Sequence, residues 1–270
     1  MDDRVSVSIS DGVADVRLVR ADKMNALDAA MFDALVAASE RLAREKGVRA
    51  VVLSGEGRSF CAGLDMGRFA AMKDKGGNGI AGGERRDLAA RTHGLANFPQ
   101  QAVWGWRQLP MPVIAAIQGV AFGGGFQLAL GADMRFLAPD ARMSIMEIKW
   151  GLVPDMAGTP ILASLVRDDI LRELTYTGRI FSAQEAMSYG LATRICKDPR
   201  TAAFEVAREI AGKSPEAIRA AKRMLNNLAV NPGPALLAES IEQMKLMGGA
   251  NQLEAVRANM EKRAPRFADV

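Results

Sequence analysis

The chain opens with alternating apolar and polar residues. Val5, Val7 and Ile9 are separated by serines, and a second alternating stretch begins at Val16 after the turn-forming sequence Ser-Asp-Gly. A period of two places every second side chain on one face of a strand, and a glycine-containing turn commonly joins two such strands. The first segment of the chain therefore predicts a β-hairpin.

A helical spacing replaces this alternation after Asp28. Apolar residues recur three or four positions apart between residues 31 and 42; Asp28 precedes them as a candidate N-cap and Gly47 follows as a candidate C-cap. The next segment, VRAVVLSG (48–55), is almost continuously apolar. Such a run is typical of a strand that is buried on both faces.

The middle of the chain continues this succession with one interruption. Residues 67–92 are rich in glycine and charge without a sustained period, and we expect a mobile surface segment there. A helix that ends before LPMP, a buried strand at VIAAIQG, a glycine run with a short helix, and two short strands follow. Beyond about residue 200 the spacing is helical only. We therefore divide the chain into an α/β core (1–200) and a C-terminal helical region (201–270).

Composition narrows the class of protein only moderately. The 270 residues are 49% hydrophobic and 24% charged, as in folded soluble proteins. No apolar run reaches the roughly 18 residues of a membrane span. Two cysteines are too few for a disulfide framework, and the acidic, alternating N-terminus is neither a signal nor a transit peptide, so we expect a cytoplasmic protein. The net charge of +4 is scattered rather than clustered, which makes a nucleic-acid partner unlikely and leaves phosphate-bearing small ligands open.

A glycine run joins a predicted strand to a predicted helix in AFGGGFQLALGAD (121–133). Its spacing is not that of a dinucleotide-binding turn, since Ala121 stands where a second glycine would be, and a P-loop lysine is absent. Backbone N–H groups at such a turn, together with the helix N-terminus, suit an anion such as an enolate oxygen. Close packing of the strand on the helix is an equally open explanation.

A second loop can contribute to the same anion site. RSFCAGLDM (58–66) follows the predicted buried strand, and Gly63 permits a close backbone approach. One N–H from Leu64 and one from Gly124 would together form an oxyanion hole for a carbonyl oxygen. Cys61 has no neighbouring cation that would activate its thiol, so we interpret it as a packing residue.

Two carboxylates in SIMEIKWGLVPDMAGT (144–159) are candidates for proton transfer. Glu147 lies among apolar residues, and burial without a cation raises the pKa of a carboxylate toward the range of a general base. An exposed position on an edge strand is the alternative for Glu147. Asp155 follows Pro154, and the alternative for it is a helix N-cap.

These elements, in this order, resemble the crotonase superfamily, also called the enoyl-CoA hydratase/isomerase family. The resemblance covers essentially the whole chain. Each motif is loose, but the ordered set is specific. The motifs are RADKMNALD, FCAGLDM, IQGVAFGGGFQLALGAD, MEIKWGLVPDMAGT, TGRIFSAQEAMSYGLA and EKRAPRF.

The resemblance implies an α/β fold, a crotonase-like spiral of ββα units with a C-terminal all-helical region that mediates trimers or hexamers. It also implies an acyl-CoA thioester substrate, no separate cofactor and no metal. By the same resemblance the oxyanion hole falls on the N–H groups of Leu64 and Gly124. The substrate-binding residues it implies are Lys23, Ala26, Ala62, Asp65, Met66 and Gly67, with Lys262 reaching CoA phosphates of the same or an adjacent subunit.

One departure bears on the reaction. Hydratases of this family carry two glutamates, and here the second is Glu147 whereas the first position holds Gln127. An amide can hold a water but cannot exchange a proton in its working range, so hydration is disfavoured and a double-bond shift is favoured. Asp155 stands where dienoyl-CoA isomerases of the family have an acid, although those enzymes also carry an aspartate at the position of Gln127.

We therefore expect an enoyl- or dienoyl-CoA isomerase with Glu147 as the acid/base. The first alternative is a 2-enoyl-CoA hydratase of fatty-acid β-oxidation in which Gln127 holds the water. Thioester hydrolysis, decarboxylation and dehalogenation are further outcomes of the same fold. The last alternative is a non-catalytic CoA- or RNA-binding relative.

The remaining candidate residues have structural interpretations first. His93 is the only histidine, which excludes a Ser-His-Asp triad and a multi-histidine metal site, and we expect it to be exposed. For Trp104 and Trp106 we expect two kinds of position, packing in the core and the edge of an acyl pocket. Three methionines are interpreted as core residues first and as lining of an acyl pocket second: Met143, Met146 and Met156.

Overall fold

A computed structural model of the protein describes residues 4–67, 87–226, 233–263 and 265. Most of the predicted mobile segment at 67–92 lies outside the described residues. The described strands are β1 (Val5–Ser10), β2 (Val13–Leu18), β3 (Ala50–Gly55), β4 (Val113–Ile117), β5 (Val120–Phe122), β6 (Met134–Leu137), β7 (Arg142–Ser144), β8 (Phe181–Ser182) and β9 (Arg194–Ile195).

Helices of varied length connect and follow these strands. The described α-helices are α1 (Ala29–Arg44), α2 (Phe98–Gln108), α3 (Gly124–Leu130), α4 (Gly158–Leu162), α5 (Asp168–Thr177), α6 (Ala183–Ser188), α7 (Pro199–Ala211), α8 (Pro215–Asn226), α9 (Gly233–Leu246) and α10 (Ala250–Met260). Two 3-10 helices lie at Ala21–Lys23 and Glu147–Trp150.

The strands form two sheets. The larger has the order β1-β2-β3-β4-β6-β9, with β1 antiparallel to β2 and every other neighbouring pair parallel. The predicted hairpin of β1 and β2 is thus confirmed. Every residue of β3 and β4 is buried, which explains their continuous apolar sequences. The smaller sheet has the order β5-β7-β8.

Local signals set the bounds of α1. The Asp28 carboxylate accepts a hydrogen bond from the Met31 N–H at 2.8 Å, which confirms the predicted N-cap. The predicted C-cap at Gly47 is wrong, because Glu45 occupies that position. Gly47 lies in the following turn with φ +91°, a conformation that favours glycine.

The segment after β9 is helical in its described residues, as the spacing predicts. Its first helix, α7, packs alanines at 203, 207 and 211 against the face of the larger sheet formed by β3, β4 and β6. Small side chains at helical spacing let the helix lie close to the sheet. The division of the chain at residue 200 stays a prediction, and so does a role of the helical region in trimer formation.

The site is positioned by the carboxyl ends of two adjacent parallel strands. The loops that follow β3 and β4 leave the larger sheet at the same edge and pair with each other through a bridge between Cys61 and Ala121. The Cys61 N–H donates to the Val120 carbonyl at 3.0 Å, and the Phe122 N–H donates to the Cys61 carbonyl at 3.1 Å. The two loops therefore form one rigid rim, because each backbone holds the other.

Candidate active site

A cavity of about 470 Å³ borders this rim. Its walls come from the segments 22–27, 62–67, 122–124 and 146–156, with Phe32 of α1 and Gln243 of α9. Most of the wall is apolar, with Trp150, Leu152 and Met156 beside the polar groups. A large apolar pocket with a few converging polar groups is the usual form of a small-molecule site.

The glycines of the two loops allow their backbones to touch. A Cβ added to Gly63 would lie 2.5 Å from the Phe122 carbonyl oxygen, and one added to Gly125 would lie 2.4 Å from the Cys61 carbonyl oxygen. Gly123 adopts φ +50° and precedes α3 as its N-cap. Gly125 of the glycine run and Gly63 of the other loop are therefore both needed for close approach of the two segments. The packing alternative for the run thus applies to Gly125, although its neighbour is Cys61 of the other loop.

Leu64 and Gly124 both lie on the cavity wall, one from each loop. Neither N–H donates to a protein acceptor within the part of the chain that the structure describes. An oxyanion hole requires two N–H groups that face one point and have no acceptor within the protein. The arrangement is compatible with the predicted pair of donors, and their role in binding a thioester oxygen stays a prediction.

Glu147 begins a 3-10 helix and is 9% exposed at the cavity wall. The predicted alternative, an exposed edge-strand position, is wrong. Burial raises the pKa of its carboxyl to about 7, although a hydrogen bond from Gln127 opposes the shift. Oε1 accepts that hydrogen bond at 2.7 Å, whereas Oε2 accepts none from a described residue. Glu147 can therefore exchange a proton near neutral pH.

Gln127 lies on α3 and contacts Glu147 from behind the cavity wall. Its amide oxygen accepts the N–H groups of Met156 at 2.9 Å and Gly158 at 3.0 Å, which fixes the amide so that Nε2 points to Glu147. Gln127 is 1% exposed and does not line the cavity. The structure thus makes Gln127 a link between Glu147 and the turn before α4.

Asp155 lies on the cavity wall and is 6% exposed. The alternative interpretation as a helix N-cap is wrong, because Ala157 occupies the N-cap of α4 and no side chain caps that helix. Burial raises the pKa of Asp155 to about 8, the charges of Glu147 and Glu239 add to the rise, and a hydrogen bond from Gln243 opposes it. Two carboxyls with raised pKa values therefore share this cavity.

The predicted substrate-binding residues fall into two groups. One group lines the cavity and consists of Lys23, Ala26, Ala62, Asp65, Met66 and Gly67. Arg20 holds the Asp65 carboxylate at 2.5 Å and so ties this loop to the segment before α1. Lys262 lies beyond the end of α10 and away from this cavity. Its contact with CoA of an adjacent subunit stays a prediction.

Two residues of the C-terminal helical region were missed in the sequence. Gln243 of α9 lines the cavity and donates to Asp155 Oδ2 at 3.2 Å. Glu239, one helical turn earlier, is buried beside it. The sequence offered no specific signal for them, because PALLAESIEQMKLM contains five polar residues, and spacing alone does not single out Glu239 and Gln243.

Other candidates take structural positions. Cys61 is buried, and burial raises the pKa of its thiol to about 12, which confirms the packing interpretation. Trp106 is fully buried and Trp104 packs against the core, so neither edges the cavity. The expected exposure of His93 is wrong, because its ring is partly buried against Phe98 with centroids 5.9 Å apart.

The methionines behave differently from one another. Met143 belongs to the core, whereas Met146 and Met156 line the cavity.

Among the described residues, no cluster of three His, Cys, Asp or Glu side chains could hold a metal ion. The helices that the structure describes include none with the length and apolar character of a membrane span.

Comparison with known proteins places the chain in a family. Residues 8–270 match the family described as enoyl-CoA hydratase/isomerase. A probable enoyl-CoA hydratase of Bacillus subtilis (strain 168) is 30% identical over 97% of this chain and 98% of its own length. A peroxisomal Delta(3,5)-Delta(2,4)-dienoyl-CoA isomerase of Arabidopsis thaliana is 31% identical over 92% of this chain and 90% of its own length.

A solved structure extends the likeness to three dimensions. An enoyl-CoA hydratase/isomerase from Mycobacterium paratuberculosis superposes with a TM-score of 0.83 at 25% identity, over 95% of this chain and 98% of that one. The mixed α/β architecture is therefore that of the crotonase fold. Because the sequence match spans almost the whole chain, the protein is an enzyme that belongs to the enoyl-CoA hydratase/isomerase family.

Proposed function

We propose that the protein shifts a double bond in an unsaturated acyl-CoA thioester, with Glu147 and Asp155 as a separated acid/base pair. The observation that carries the proposal is that these two buried carboxyls line one cavity, whereas Gln127 does not. CoA enters as part of the substrate, and no further cofactor is needed. The apolar wall favours an apolar acyl chain.

The oxyanion hole would make the first proton removable. A thioester oxygen placed between the N–H groups of Leu64 and Gly124 would gain negative charge as a proton leaves C2, and both donors are in place before the reaction. Loss of one such donor typically costs about 3–4 kcal/mol of transition-state stabilisation. The pairing of the two loops supports this role because it fixes the donors relative to each other.

Position assigns the roles of the two carboxyls. The side chain of Glu147 lies against the glycine turn that carries the Gly124 N–H, since a Cβ added to Gly123 would lie 3.4 Å from Glu147 Oε1. Glu147 therefore acts as the base that takes the proton from C2. Burial and the charge of Glu147 raise the pKa of Asp155, so Asp155 stays protonated and gives a proton to the distal carbon. The product has the atoms of the substrate, and transfer of one proton from Glu147 to Asp155, directly or through water, restores the enzyme.

Hydration is the alternative that the relatives' names also suggest, since one of them is a probable hydratase. It would require Gln127 to hold the attacking water. The amide of Gln127 is instead occupied by Met156, Gly158 and Glu147, away from the cavity. A non-catalytic protein would have no use for two buried carboxyls with raised pKa values, which lower stability and are characteristic of active sites.

Assembly and location remain proposals of the family resemblance. We propose a homotrimer or a hexamer made of two trimers. A cytoplasmic location is supported by the two cysteines, which are both free. Size-exclusion chromatography with light scattering tests the assembly, and a monomer would contradict it.

The reaction is tested by incubating the protein with 3-enoyl-, 2-enoyl- and 3,5-dienoyl-CoA and identifying the products by mass and absorbance. We expect a product of unchanged mass from 3-enoyl- or 3,5-dienoyl-CoA, with new conjugation in the absorbance spectrum. A product heavier by one water from 2-enoyl-CoA, formed at ordinary enzymatic rates, would overturn the isomerase proposal in favour of the hydratase.

A further inference from the structure

Two polar side chains of α9 face the segment that carries Asp155 (residues 153–159) rather than solvent. Glu239 and Gln243 are four residues apart, so they lie on the same face of the helix. Glu239 is 6% exposed and Gln243 is 1% exposed. Burying polar groups costs free energy unless they are hydrogen-bonded, so their partners are informative.

Gln243 bonds both ends of the segment that carries Asp155. Its amide oxygen accepts the Val153 N–H at 3.2 Å, and its Nε2 donates to Asp155 Oδ2 at 3.2 Å. Swapping the amide oxygen and nitrogen would turn the donor toward the Val153 N–H, so the backbone fixes the orientation of the amide. Gln243 therefore holds both the backbone before Asp155 and its carboxyl.

Glu239 holds the backbone on the other side of Asp155. Its carboxylate accepts the N–H groups of Ala157 at 3.0 Å and Thr159 at 2.9 Å. Ala157 has φ +66°, a left-handed conformation that costs a residue with a side chain roughly 1–2 kcal/mol. Charge-assisted hydrogen bonds to this turn offset that strain, and strained backbone of this kind clusters at functional sites.

The helix that carries these residues is itself anchored to α2. Gln100 Nε2 donates to the Leu236 carbonyl at 2.5 Å and to Glu239 Oε2 at 3.2 Å. The Asn97 amide, at the N-cap of α2, donates to Ser240 Oγ at 2.8 Å. These contacts hold α9 against α2, so Glu239 and Gln243 are themselves fixed in position.

We propose that Glu239 and Gln243 are positioning residues that together hold Asp155 against the substrate cavity, an inference that rests on the proposed role of Asp155 as proton donor. They are not catalytic residues for this step, since they act through the turn and through the Asp155 carboxyl. The charged groups that face Asp155 are Glu147 from its 3-10 helix and Glu239 from α9.

The two residues act on Asp155 in opposite directions. The hydrogen bond from Gln243 lowers the pKa of Asp155, whereas the charge of Glu239 raises it. A proton donor must be protonated to work, so its pKa sets the alkaline limb of the pH profile of kcat. Loss of Gln243 should move that limb to higher pH, and neutralisation of Glu239 should move it to lower pH.

The test compares Gln243→Leu, the isosteric Gln243→Glu and Glu239→Gln with wild type in pH profiles of isomerisation. Both Gln243 variants should move the alkaline limb up, and Glu239→Gln should move it down. We expect kcat of Gln243→Leu to fall about tenfold or more while KM changes less than about twofold. Gln101→Leu is the matched control, because Gln101 is a buried glutamine of α2 away from the cavity, and should keep the wild-type profile.

Amide hydrogen exchange provides a readout that does not depend on the reaction. The Val153 amide should exchange faster in Gln243→Leu, because leucine offers no acceptor. One of the Ala157 and Thr159 amides should exchange faster in Glu239→Gln, because glutamine offers one acceptor oxygen where the carboxylate offers two. Unchanged exchange at all three amides, or shifts of both variants' alkaline limbs in one direction, would overturn the proposal.

Asp155→Asn separates this inference from the proposed function. If that variant loses the alkaline limb while the α9 variants leave the limb in place, only the positioning roles fail. If Asp155→Asn keeps both the rate and the limb of wild type, Asp155 is not the donor, and both the proposed function of the pair and the positioning inference are overturned.

Discussion

Two polar clusters, one buried and one partly buried, differ in the partners that their charged groups have. The site cluster consists of Glu147, Asp155 and Glu239, whose pKa values are all raised by burial. The paired cluster consists of Asp133 and Lys222, whose Oδ2 and Nζ atoms are 2.7 Å apart. In the paired cluster the Val113 N–H also donates to Asp133 and Lys222 also donates to the Met111 carbonyl.

The difference separates stability from function. In the paired cluster each charge has an opposite charge and a backbone partner, which offsets the cost of removing it from water. In the site cluster the carboxyls are bonded by amides and backbone N–H groups and repel one another, so the neutral forms are favoured. Carboxyls whose pKa values lie near neutral pH can both take and give protons. Burying them destabilises the folded state, and interactions elsewhere in the fold must offset that cost.

Glu147→Gln should have the largest effect on activity, and it should not destabilise the fold. Removal of a general base typically lowers the rate by about 10²–10⁴-fold. The variant keeps an oxygen for the hydrogen bond from Gln127, so we expect it to fold and to keep KM within severalfold. Steady-state isomerisation and urea unfolding measure the two properties. An unchanged rate with every acyl-CoA would place the protein among non-catalytic relatives.

Asp133→Asn is the matched carboxyl-to-amide change in the paired cluster, and it should act on stability. It leaves the ammonium group of Lys222, which is 6% exposed, without its carboxylate. Breaking a fully buried ion pair costs about 3–5 kcal/mol of unfolding free energy. The Asp133 side chain is 23% exposed, so we expect a loss below that range. Activity per folded molecule should not change.

The double variant Asp133→Asn/Lys222→Met should recover part of that loss, because the buried ammonium group is removed. The buried guanidinium of Arg135, with which Asp133 also interacts, stays in place, so the recovery should be incomplete. Urea unfolding of the single and double variants measures the recovery. A double variant that is less stable than Asp133→Asn would show that the pair contributes more than mutual neutralisation.

The pH dependence of stability should also distinguish the clusters. The folded-state pKa of Glu147 is about 7 against an ordinary value of 4.5, so between these pH values the folded chain keeps a proton that the unfolded chain has lost. The free energy of unfolding of wild type should therefore fall as pH rises through this window. Relative to Glu147→Gln, the loss between pH 5 and pH 8 should be on the order of 2–3 kcal/mol.

Urea unfolding of both proteins across this pH range measures the difference. Gln101→Leu should keep the wild-type slope, because it changes no titratable group. Parallel curves for wild type and Glu147→Gln would contradict a raised pKa at Glu147.

Features encoded by neighbouring residues were predictable from the sequence. The hairpin, the Asp28 cap and the buried strands follow from local spacing, and the glycine loops indicated the placement of Leu64 and Gly124 on one cavity. The motif order was sufficient for the family because it is a property of the whole chain. Local patterns carry such signals because hydrophobic periodicity and capping act over a few residues.

Contacts between distant segments were not predictable in the same way. The bond from Gln243 to Asp155 spans 88 positions, and no local pattern records which side chain a helix will meet across the fold. The N-cap interpretation of Asp155 and the C-cap at Gly47 failed because the residue types were suitable but the backbone took another course. The sequence predicted for Gln127 only an effect on the type of reaction, whereas its contacts show that it connects Glu147 to the turn before α4.

Gln127→Glu should have the smallest effect on the rate, and it tests the hydrogen bond between Gln127 and Glu147. The introduced carboxylate would replace the amide donor 2.7 Å from Glu147 Oε1 with a like charge, and the two carboxyls could ionise together only at high cost. The pair would titrate in two steps, and the shared proton would leave Glu147 a weaker base until the second step, which has the raised pKa. The acid limb of the isomerisation profile should therefore move to higher pH, and the rate at pH 7 should fall about tenfold. Gln127→Met, which removes the donor without adding charge, should lower the rate without moving the limb as far. An acid limb that stays in place in Gln127→Glu would mean that Glu147 titrates independently of its neighbours, and the contrast between the two clusters would then rest on burial alone.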